Sequence, residues 1–569
     1  MIVYRDAERE VTPAVVIRHL RGVAGRTDAI GDASLGVLIA LGELESALAD
    51  REGADADDGP SPQLARTHDA TCAAAAWWLH HAHPMEAPAR AALARALDEL
   101  ETEDWPASLR VRTAEGFAFY ALDPHGYVRH TMEIARRRPA RLLVLGLRSI
   151  GTVLAAIVHA CAARLRIPVT SFTIRPRGHP FDRRPIFGRG LAACCAPFRG
   201  GEVIVVDEGP GLSGSSIAGT IAALEGLGWR ADRVHVLTGH LPDPDRLLNA
   251  GARERFRTAT VRAAGTLPAP SSRPADVGEP ELVAPGAWRE WRLPGPEPYT
   301  AAEWPPSHAQ HERRKWRAPF AGITAIGRFA GFGEVGLSRL VRASRLAAAH
   351  FAPPPMALQA GVLWSPFVSG DPLERGRVSA DDVDRIADYL AWRGRHFTTG
   401  QETDVWRLAD MVTTNVRALV EGRARPERWW RLLDPVRLGS RPAVVPDGRL
   451  QPWEWLRPRD RGPLLKLDAI DHGDDHFWPG PQDPVWDLAG ACIELGLDAE
   501  GRGALVERYR SRARDCQASA LLPAYLVAYA ASRCAYLTVC RDTTEGDERQ
   551  RFDRELQHGR AELFRSLHA

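Results

Sequence analysis

The chain has 569 residues, more than one hydrophobic core normally organises, so two to four domains are expected. A hydrophobic content of 45% and a charged content of 25% are those of a soluble folded protein. With 73 basic against 72 acidic residues the formal net charge is +1, which excludes a general polyanion binder and nucleic acid as a partner, because counterion release needs a dense basic face.

In chain order, the opening MIVYRDAERE is charged and lacks the apolar run of a secretory signal. Residues 1–110 read as a helical extension, since ALGELESALA and ARAALARALDELE carry apolar residues at helical spacing. Between them lies the acidic, Gly/Pro-bearing stretch ADREGADADDGPSPQ. From 111 to 265 the pattern becomes α/β. The strand-like runs PARLLVLG, PVTSFTIRP, GEVIVVDE and RVHVLTGH alternate with the helical runs TVLAAIVHACAARL and SIAGTIAALEGLG. This alternation implies a parallel sheet whose ligands sit at the carboxyl ends of the strands.

Residues 266–312 are rich in Pro and Gly and read as a linker. Residues 313–569 are tryptophan-rich and mostly helical, with short strands. The most membrane-like run, Leu521–Cys540, contains Arg533 and three tyrosines, so it is expected to be a buried helix of a soluble domain, and no membrane partner is expected. Eight cysteines without a CxxC pair fit a reducing cytoplasm, with the vicinal Cys194 and Cys195 as packing residues. Only two of the basic residues are lysine, Lys315 and Lys466.

The most informative string is VIVVDEGPGLSGSSI at 203–217: an apolar strand, the acids Asp207 and Glu208, a Gly/Ser loop, and a helix beginning near Ser215. Free N–H groups at that helix start and the hydroxyls of Ser213, Ser215 and Ser216 make an anion cradle. A Walker A reading fails because no lysine occurs in the first 314 residues. Gly209, Gly211 and Gly214 match a dinucleotide fingerprint. However, two carboxylates precede the first glycine and would repel a pyrophosphate, and the next strand lacks a ribose-binding acid.

A third template accounts for the acids as well as the glycines. The string resembles the PRPP-binding motif of type I phosphoribosyltransferases, in the branch found in tellurite-resistance-type gene neighbourhoods. It departs from that motif in having Glu208 as the second acid and a loop one residue longer. The resemblance implies that Asp207 and Glu208 hold the ribose hydroxyls and stabilise charge at the anomeric carbon, while Ser213, Gly214, Ser215 and Ser216 hold the 5′-phosphate. Arg148 and Ser149, in GLRSIG, would face pyrophosphate. Arg175, Arg177 and His179, in RPRGHPFDRR, would lie on a mobile loop that closes over PRPP. Phe117, Phe119 and Tyr120, in the segment where an N-terminal hood is expected, would either stack on a flat acceptor or form sheet core.

In the second half, DGRLQPWEWL at 447–456, LLKLD at 464–468 and DPVWDLAG at 483–490 resemble the aminoglycoside/choline-kinase-like fold. Asp468 falls at the metal-binding aspartate and Asp487 at a structural aspartate that caps the following helix. Arg449 stands where the catalytic aspartate belongs and Glu454 where a metal-binding asparagine belongs. Arg328 occupies the expected small-lobe lysine position, with Lys315 as a substitute from another strand. The run Asp471-His472-Gly473-Asp474-Asp475-His476 is either a divalent-cation site, with Asp468 and Asp471 among its ligands, or a polar loop.

The expected fold class is α/β: a parallel-sheet phosphoribosyltransferase core with a helical N-terminal extension, followed by a mostly helical α+β kinase-like domain. The expected activity is Mg²⁺-dependent phosphoribosyl transfer from PRPP to a small-molecule acceptor by a cytoplasmic enzyme, with ATP as a ligand of the second half and a homodimer as a compatible assembly. The alternatives are a non-catalytic PRPP or nucleotide sensor and a small-molecule phosphotransferase acting through the C-terminal domain.

Overall fold

The computed structural model describes residues 1–26, 32–53, 60–81, 86–179, 181–268, 280–292, 303–420 and 431–568. Much of the acidic stretch (54–59), Pro180 of the arginine-rich loop and most of the Pro/Gly-rich segment (269–279 and 293–302) lie outside the described residues.

The extension comprises β1 (Glu8–Val11), α1 (Pro13–Gly25), α2 (Asp32–Glu52), α3 (Pro62–Leu79), α4 (Glu86–Glu101) and β2 (Leu109–Arg112). Helix α2 is apolar on nearly every side and is correspondingly enclosed, packing on α1, α3 and the first helix of the sheet unit. The two strands correct the all-helical expectation for residues 1–110. They pair antiparallel, Glu8 opposite Arg112 and Val11 opposite Leu109. Charge pairing holds this short ribbon, Arg112 Nε donating to Glu8 Oε1 at 2.9 Å, so EREV carries no apolar alternation to betray it.

Two short helices follow, α5 (Glu115–Ala118) and α6 (Pro124–Ala135). The α/β unit then runs β3 (Leu142–Leu147), α7 (Ile150–Arg164), β4 (Val169–Ile174), the hairpin β5 (Arg177–His179) and β6 (Asp182–Arg184), α8 (Arg189–Cys195), β7 (Glu202–Val206), α9 (Ser215–Gly226), β8 (Val234–Thr238), α10 (Ala250–Thr258) and β9 (Thr260–Ala263). Strands β4-β3-β7-β8-β9 form one five-stranded sheet in that order, every neighbouring pair parallel. Alternate residues serve opposite faces. Leu142, Val144, Ile204 and Val206 join the core shared with α7 and the extension, whereas Leu143, Leu145, Val203 and Val205 join the core under α9 and α10.

The turn from β3 into α7 depends on Gly146, where a Cβ would lie 2.2 Å from the Gly151 carbonyl oxygen and 2.9 Å from Ala155 Cβ. Gly146→Ala is therefore expected to destabilise the protein by about 1–3 kcal/mol, read from the urea midpoint at unchanged slope.

The second half opens with β10 (Glu281–Leu282), α11 (Arg289–Arg292), β11 (Lys315–Phe320), β12 (Ile323–Phe329), α12 (Gly333–Ala348), β13 (Ala357–Gln359) and β14 (Val362–Pro366). Its antiparallel five-stranded sheet has the order β10-β11-β12-β14-β13. Next come β15 (Gly370–Pro372), α13 (Ala380–His396), β16 (Thr398–Glu402), α14 (Val405–Val420), β17 (Pro442–Val444), β18 (Trp455–Pro458) and β19 (Leu465–Lys466). The helices Val485–Glu494, Ala499–Ala513, Ala518–Asp542 and Gly546–His568 complete this half. Among the described residues, Ala518–Asp542 is the helix long and apolar enough to cross a membrane, and 67% of its apolar window is buried. It packs on its helical neighbours, and Arg533 Nε donates to Glu494 at 2.9 Å.

The N-terminus is docked on this second half. Asn415 receives the Ile2 N–H at 2.6 Å and returns a bond to the Ile2 carbonyl at 2.8 Å, while Arg5 N–H donates to His476 O at 2.8 Å. The first residues thus tie the far end of the chain to the extension.

Candidate functional site

At the carboxyl end of β7 the apolar strand gives way to Asp207 and Glu208, both partly buried. Tyr127 on α6 donates its hydroxyl to the Asp207 carbonyl at 2.8 Å, and Gly239 N–H donates to the Glu208 carbonyl at 2.7 Å, so the backbone under the acids is held from two sides. Among the described residues neither carboxylate has a salt-bridge partner. Burial pushes Asp207 up to about 7, against a partial offset from the Glu208 N–H. Burial, then the charges of Glu115 and Asp207, push Glu208 up to about 8.

Two adjacent oxygen-bearing acids, desolvated and with only the more distant charges of Arg175 and Arg183 acting on Asp207, fit a hard divalent ion or the donor hydroxyls of a diol. Glu115, Tyr127 and His240 complete the surroundings and were not singled out by the sequence. A Cβ on Gly209 would lie 2.5 Å from the His240 ring, so the imidazole that follows β8 covers the start of the loop. Burial lowers that imidazole's pKa and favours its neutral form. Position at the carboxyl end of β8 is the signal that would have found it.

The Gly/Ser loop turns into α9 through Gly214, whose φ of 68° lies in the left-handed region that glycine adopts without strain. Gly211 is exposed and Ser216 half-buried, so both are accessible at the helix start. Ser213 and Ser215 are buried, and their hydroxyls lie 3.0 Å apart in a mutual hydrogen bond. This corrects the expectation that all three serine hydroxyls face a ligand. The loop packs against Leu247 and Phe256, which turns the first and second serines inward.

Ser149, between β3 and α7, has φ 103° and ψ −113°, a strained conformation for a side-chain-bearing residue at a loop expected to contact pyrophosphate. Arg148 is a correction. Its guanidinium is buried and donates to Asp50 Oδ1 at 3.1 Å and to the Thr173 carbonyl at 3.1 Å, rather than facing a cavity. Asp50, at the end of α2, also receives Arg175 Nε at 2.8 Å, and Arg177 donates to the Gly53 carbonyl. Burial alone would raise Asp50, but Arg175 and Arg148 hold its carboxyl below the ordinary range.

The expected mobile loop contains a hairpin, with Arg177 opposite Arg184 and His179 opposite Asp182. It lies across α9, where the Arg183 carbonyl approaches Gly219, and Asn249 Nδ2 donates to the Phe181 carbonyl at 2.6 Å. His179 is exposed, its ring 5.5 Å from that of Phe181. Phe117 and Phe119 are buried on or beside the one-turn α5 rather than in a sheet. Phe117 meets Phe332, and Phe119 lies under the Arg313 and Arg339 guanidinium groups. Tyr120 hydrogen bonds His476 of the second half at 2.7 Å. This contact joins the segment before the α/β unit to the His472–His476 loop.

A second site is the cleft between the antiparallel sheet and the helical half, a cavity of about 210 Å³ whose lining includes Lys315, Arg328, Arg449, Glu454 and Asp468. Lys315 and Arg328 face each other across β11 and β12. Lys315 Nζ lies 3.3 Å from Asp468 Oδ2, and Arg328 is ion-paired with Asp468 and Asp471. Arg449 rests on the Tyr536 ring, 5.8 Å from its centroid. Lys466 is fully buried and bonded to Glu454 at 2.7 Å, with Asp447 at 3.4 Å. Asp487 accepts from the N–H groups of Asp447 and Gly448 at 2.7 and 3.0 Å, so it braces that loop. Asp483 is the residue that receives the Val485 N–H at the following helix start.

Asp471 is a correction as a metal ligand. Arg328 and Arg313 engage its two oxygens, Arg313 at 3.1 Å. Asp474 likewise pairs with Arg339 at 3.1 Å and Arg342 at 3.0 Å, and Asp475 pairs with Arg313 and His476. The polar run is therefore a buried ion-pair network. Asp468 remains a candidate, because its carboxylate, Glu454 and His472 place ligand atoms within 4.8 Å of one another.

No family model matches the sequence, and no curated protein matches it. Among solved structures, the chain is similar to the choline kinase LicA from Streptococcus pneumoniae at 15% identity, with 43% of this chain and 89% of that one covered and a TM-score of 0.29. It is similar to the macrolide 2′-phosphotransferase MphH from Brachybacterium faecium at 17% identity, covering 44% and 88%, TM-score 0.30. It is also similar to a choline/ethanolamine kinase family protein from Mesorhizobium loti at 14% identity, covering 47% and 92%, TM-score 0.30.

Proposed function

We propose that the parallel-sheet unit binds PRPP and transfers its phosphoribosyl group to a small-molecule acceptor. The observation that carries this reading is the Asp207–Glu208 carboxylate pair, without a salt-bridge partner among the described residues, at the end of the central strand β7 beside the left-handed turn that starts α9. In this reading the acids accept hydrogen bonds from the vicinal ribose hydroxyls, and Gly211, Gly214 and Ser216 receive the 5′-phosphate at the helix N-terminus. The bond from the anomeric carbon to pyrophosphate breaks with its electrons leaving on oxygen, and the acceptor's lone pair forms the new bond. The carboxylates stabilise the positive charge that develops between these events. Mg²⁺, when bound, neutralises charge on the departing pyrophosphate. Titration calorimetry with PRPP and Mg²⁺ tests the reading: saturable binding displaced by ribose 5-phosphate supports it, and absence of binding overturns it.

The extension supplies a competing carboxylate, since Asp50 engages Arg175, the partly exposed arginine of the loop proposed to close over pyrophosphate. Asp50→Asn is expected to tighten pyrophosphate binding roughly 10–100-fold, the size of one charged hydrogen bond. Calorimetric titration of both proteins with pyrophosphate measures it.

A second reading, phosphotransfer to a small hydroxylated substrate from ATP in the C-terminal cleft, is favoured by the Lys315–Asp468 ion pair, 3.3 Å apart, in the lining of the cavity between the antiparallel sheet and the helical half. ATP turnover abolished by Asp468→Asn would support it. ATP binding without turnover would count against it, and is the outcome that fits the sequence resemblance, which puts Arg449 where a catalytic carboxylate would stand.

A further inference from the structure

Far from both clefts in function, a cluster of metal-binding side chains lies where the extension packs on the sheet unit. His68 and Cys72 stand one turn apart on α3, His159 is on α7 and Ser171 is on β4. The Ser171 hydroxyl lies 2.7 Å from His68 Nε2, 2.7 Å from His159 Nδ1 and 3.9 Å from Cys72 Sγ, so the three donors converge on one point. Cys72 Sγ is 3.5 Å from His68 Nε2, and all three donor atoms lie within 4.8 Å of one another. Ligand atoms around a tetrahedral zinc ion sit roughly 3.3–3.7 Å apart, so side-chain adjustment of about an ångström closes the set.

Behind His68 stands Glu45 of α2, 1% exposed, with Oε1 at 2.9 Å from His68 Nδ1 and Oε2 without a hydrogen-bond partner. A carboxylate on Nδ1 keeps the proton there and directs the Nε2 lone pair toward the convergence point, the arrangement that orients histidines on metals. Charge balance agrees. A buried carboxylate and a thiolate together carry two negative charges, which one divalent ion neutralises.

We propose that His68, Cys72 and His159 bind a zinc ion, with the Ser171 hydroxyl or a water molecule in the fourth position and Glu45 orienting His68. Two imidazoles and one thiolate select a borderline-soft divalent ion over Mg²⁺ or Ca²⁺. The three ligands are only partly buried, which leaves a path for the ion. Because they come from α3 and α7, the ion joins the extension to the α/β unit independently of PRPP or ATP chemistry.

The test uses the full-length protein stripped with chelator and titrated with Zn²⁺ or, as a spectroscopic probe, Co²⁺. One equivalent is expected, with a near-ultraviolet thiolate-to-cobalt band, a raised melting temperature, and protection of Cys72 from alkylation as mapped by peptide mass spectrometry. Cys72→Ala is expected to abolish the band, and Glu45→Gln to retain one equivalent with affinity weakened roughly 10–100-fold. Absence of binding, an unchanged affinity in a Cys72→Ala/His159→Asn variant, or rapid alkylation of Cys72 in the zinc-loaded wild type would overturn the proposal. The last outcome would instead mark a Cys72–His68–Glu45 nucleophile. The alkylation measurement needs no variant, so it decides even where a substitution impairs folding.

Discussion

Pyrophosphate release from PRPP in the presence of Mg²⁺ and a cell extract supplying the acceptor is expected to fall by about 10²–10³-fold in an Asp207→Asn/Glu208→Gln variant, the scale at which removing a transition-state electrostatic partner acts. The amides keep the shape and some hydrogen-bonding capacity of the acids but remove the charge that faces the anomeric carbon. The pH dependence follows from the same burial. With Asp207 raised to about 7 and Glu208 to about 8, the pair ionises across the neutral range, so wild-type activity is expected to rise from pH 6 toward pH 8.5.

Stability runs the other way. A carboxyl whose folded pKa exceeds its unfolded value of about 4 favours the fold while protonated, and that contribution is lost as pH rises toward 7–8. The double variant, neutral at every pH, is therefore expected to melt above the wild type at pH 8 while being far less active. A variant that lost activity because it misfolded would melt lower. Retention of full pyrophosphate release in the variant would remove the proposed function.

Asp471→Asn is expected to destabilise the protein by about 1–3 kcal/mol in urea titration at pH 7, because it removes one of the two carboxylates on each of the buried Arg313 and Arg328 guanidinium groups, which keep Asp475 and Asp468 respectively. Burial alone would raise the Asp471 carboxyl, yet Arg328, His472 and Arg313 hold it well below the ordinary range. Its contribution is thus present above the unfolded pKa near 4 and declines as pH falls below it. The difference between wild type and variant should shrink in acid. A penalty below about 1 kcal/mol at pH 7 would mean that this network is solvated rather than buried.

What could be read from the chain alone were features written in consecutive residues. The runs LLVLGL and VIVV carry no polar side chain because both faces of a parallel sheet are covered, and they appear as the enclosed β3 and the enclosed part of β7, Val203–Val206. The acid pair after β7 and the glycine turn before α9 were likewise legible, because each is local in sequence, whereas the arginine segment read as a mobile loop holds the β5–β6 hairpin.

Tertiary structure alone decided what those residues meet. That Asp50 engages Arg148 and Arg175, that Tyr120 bonds His476, and that Ile2 is clamped by Asn415 depends on contacts between residues far apart in the chain. The ribbon of β1 and β2 was hidden because its strands are four residues each and about a hundred residues apart, and only the LRVR alternation of β2 leaves a local signal. The His68–Cys72–His159 cluster was invisible because its ligands come from two helices, and only packing α3 against α7 makes their donor atoms converge.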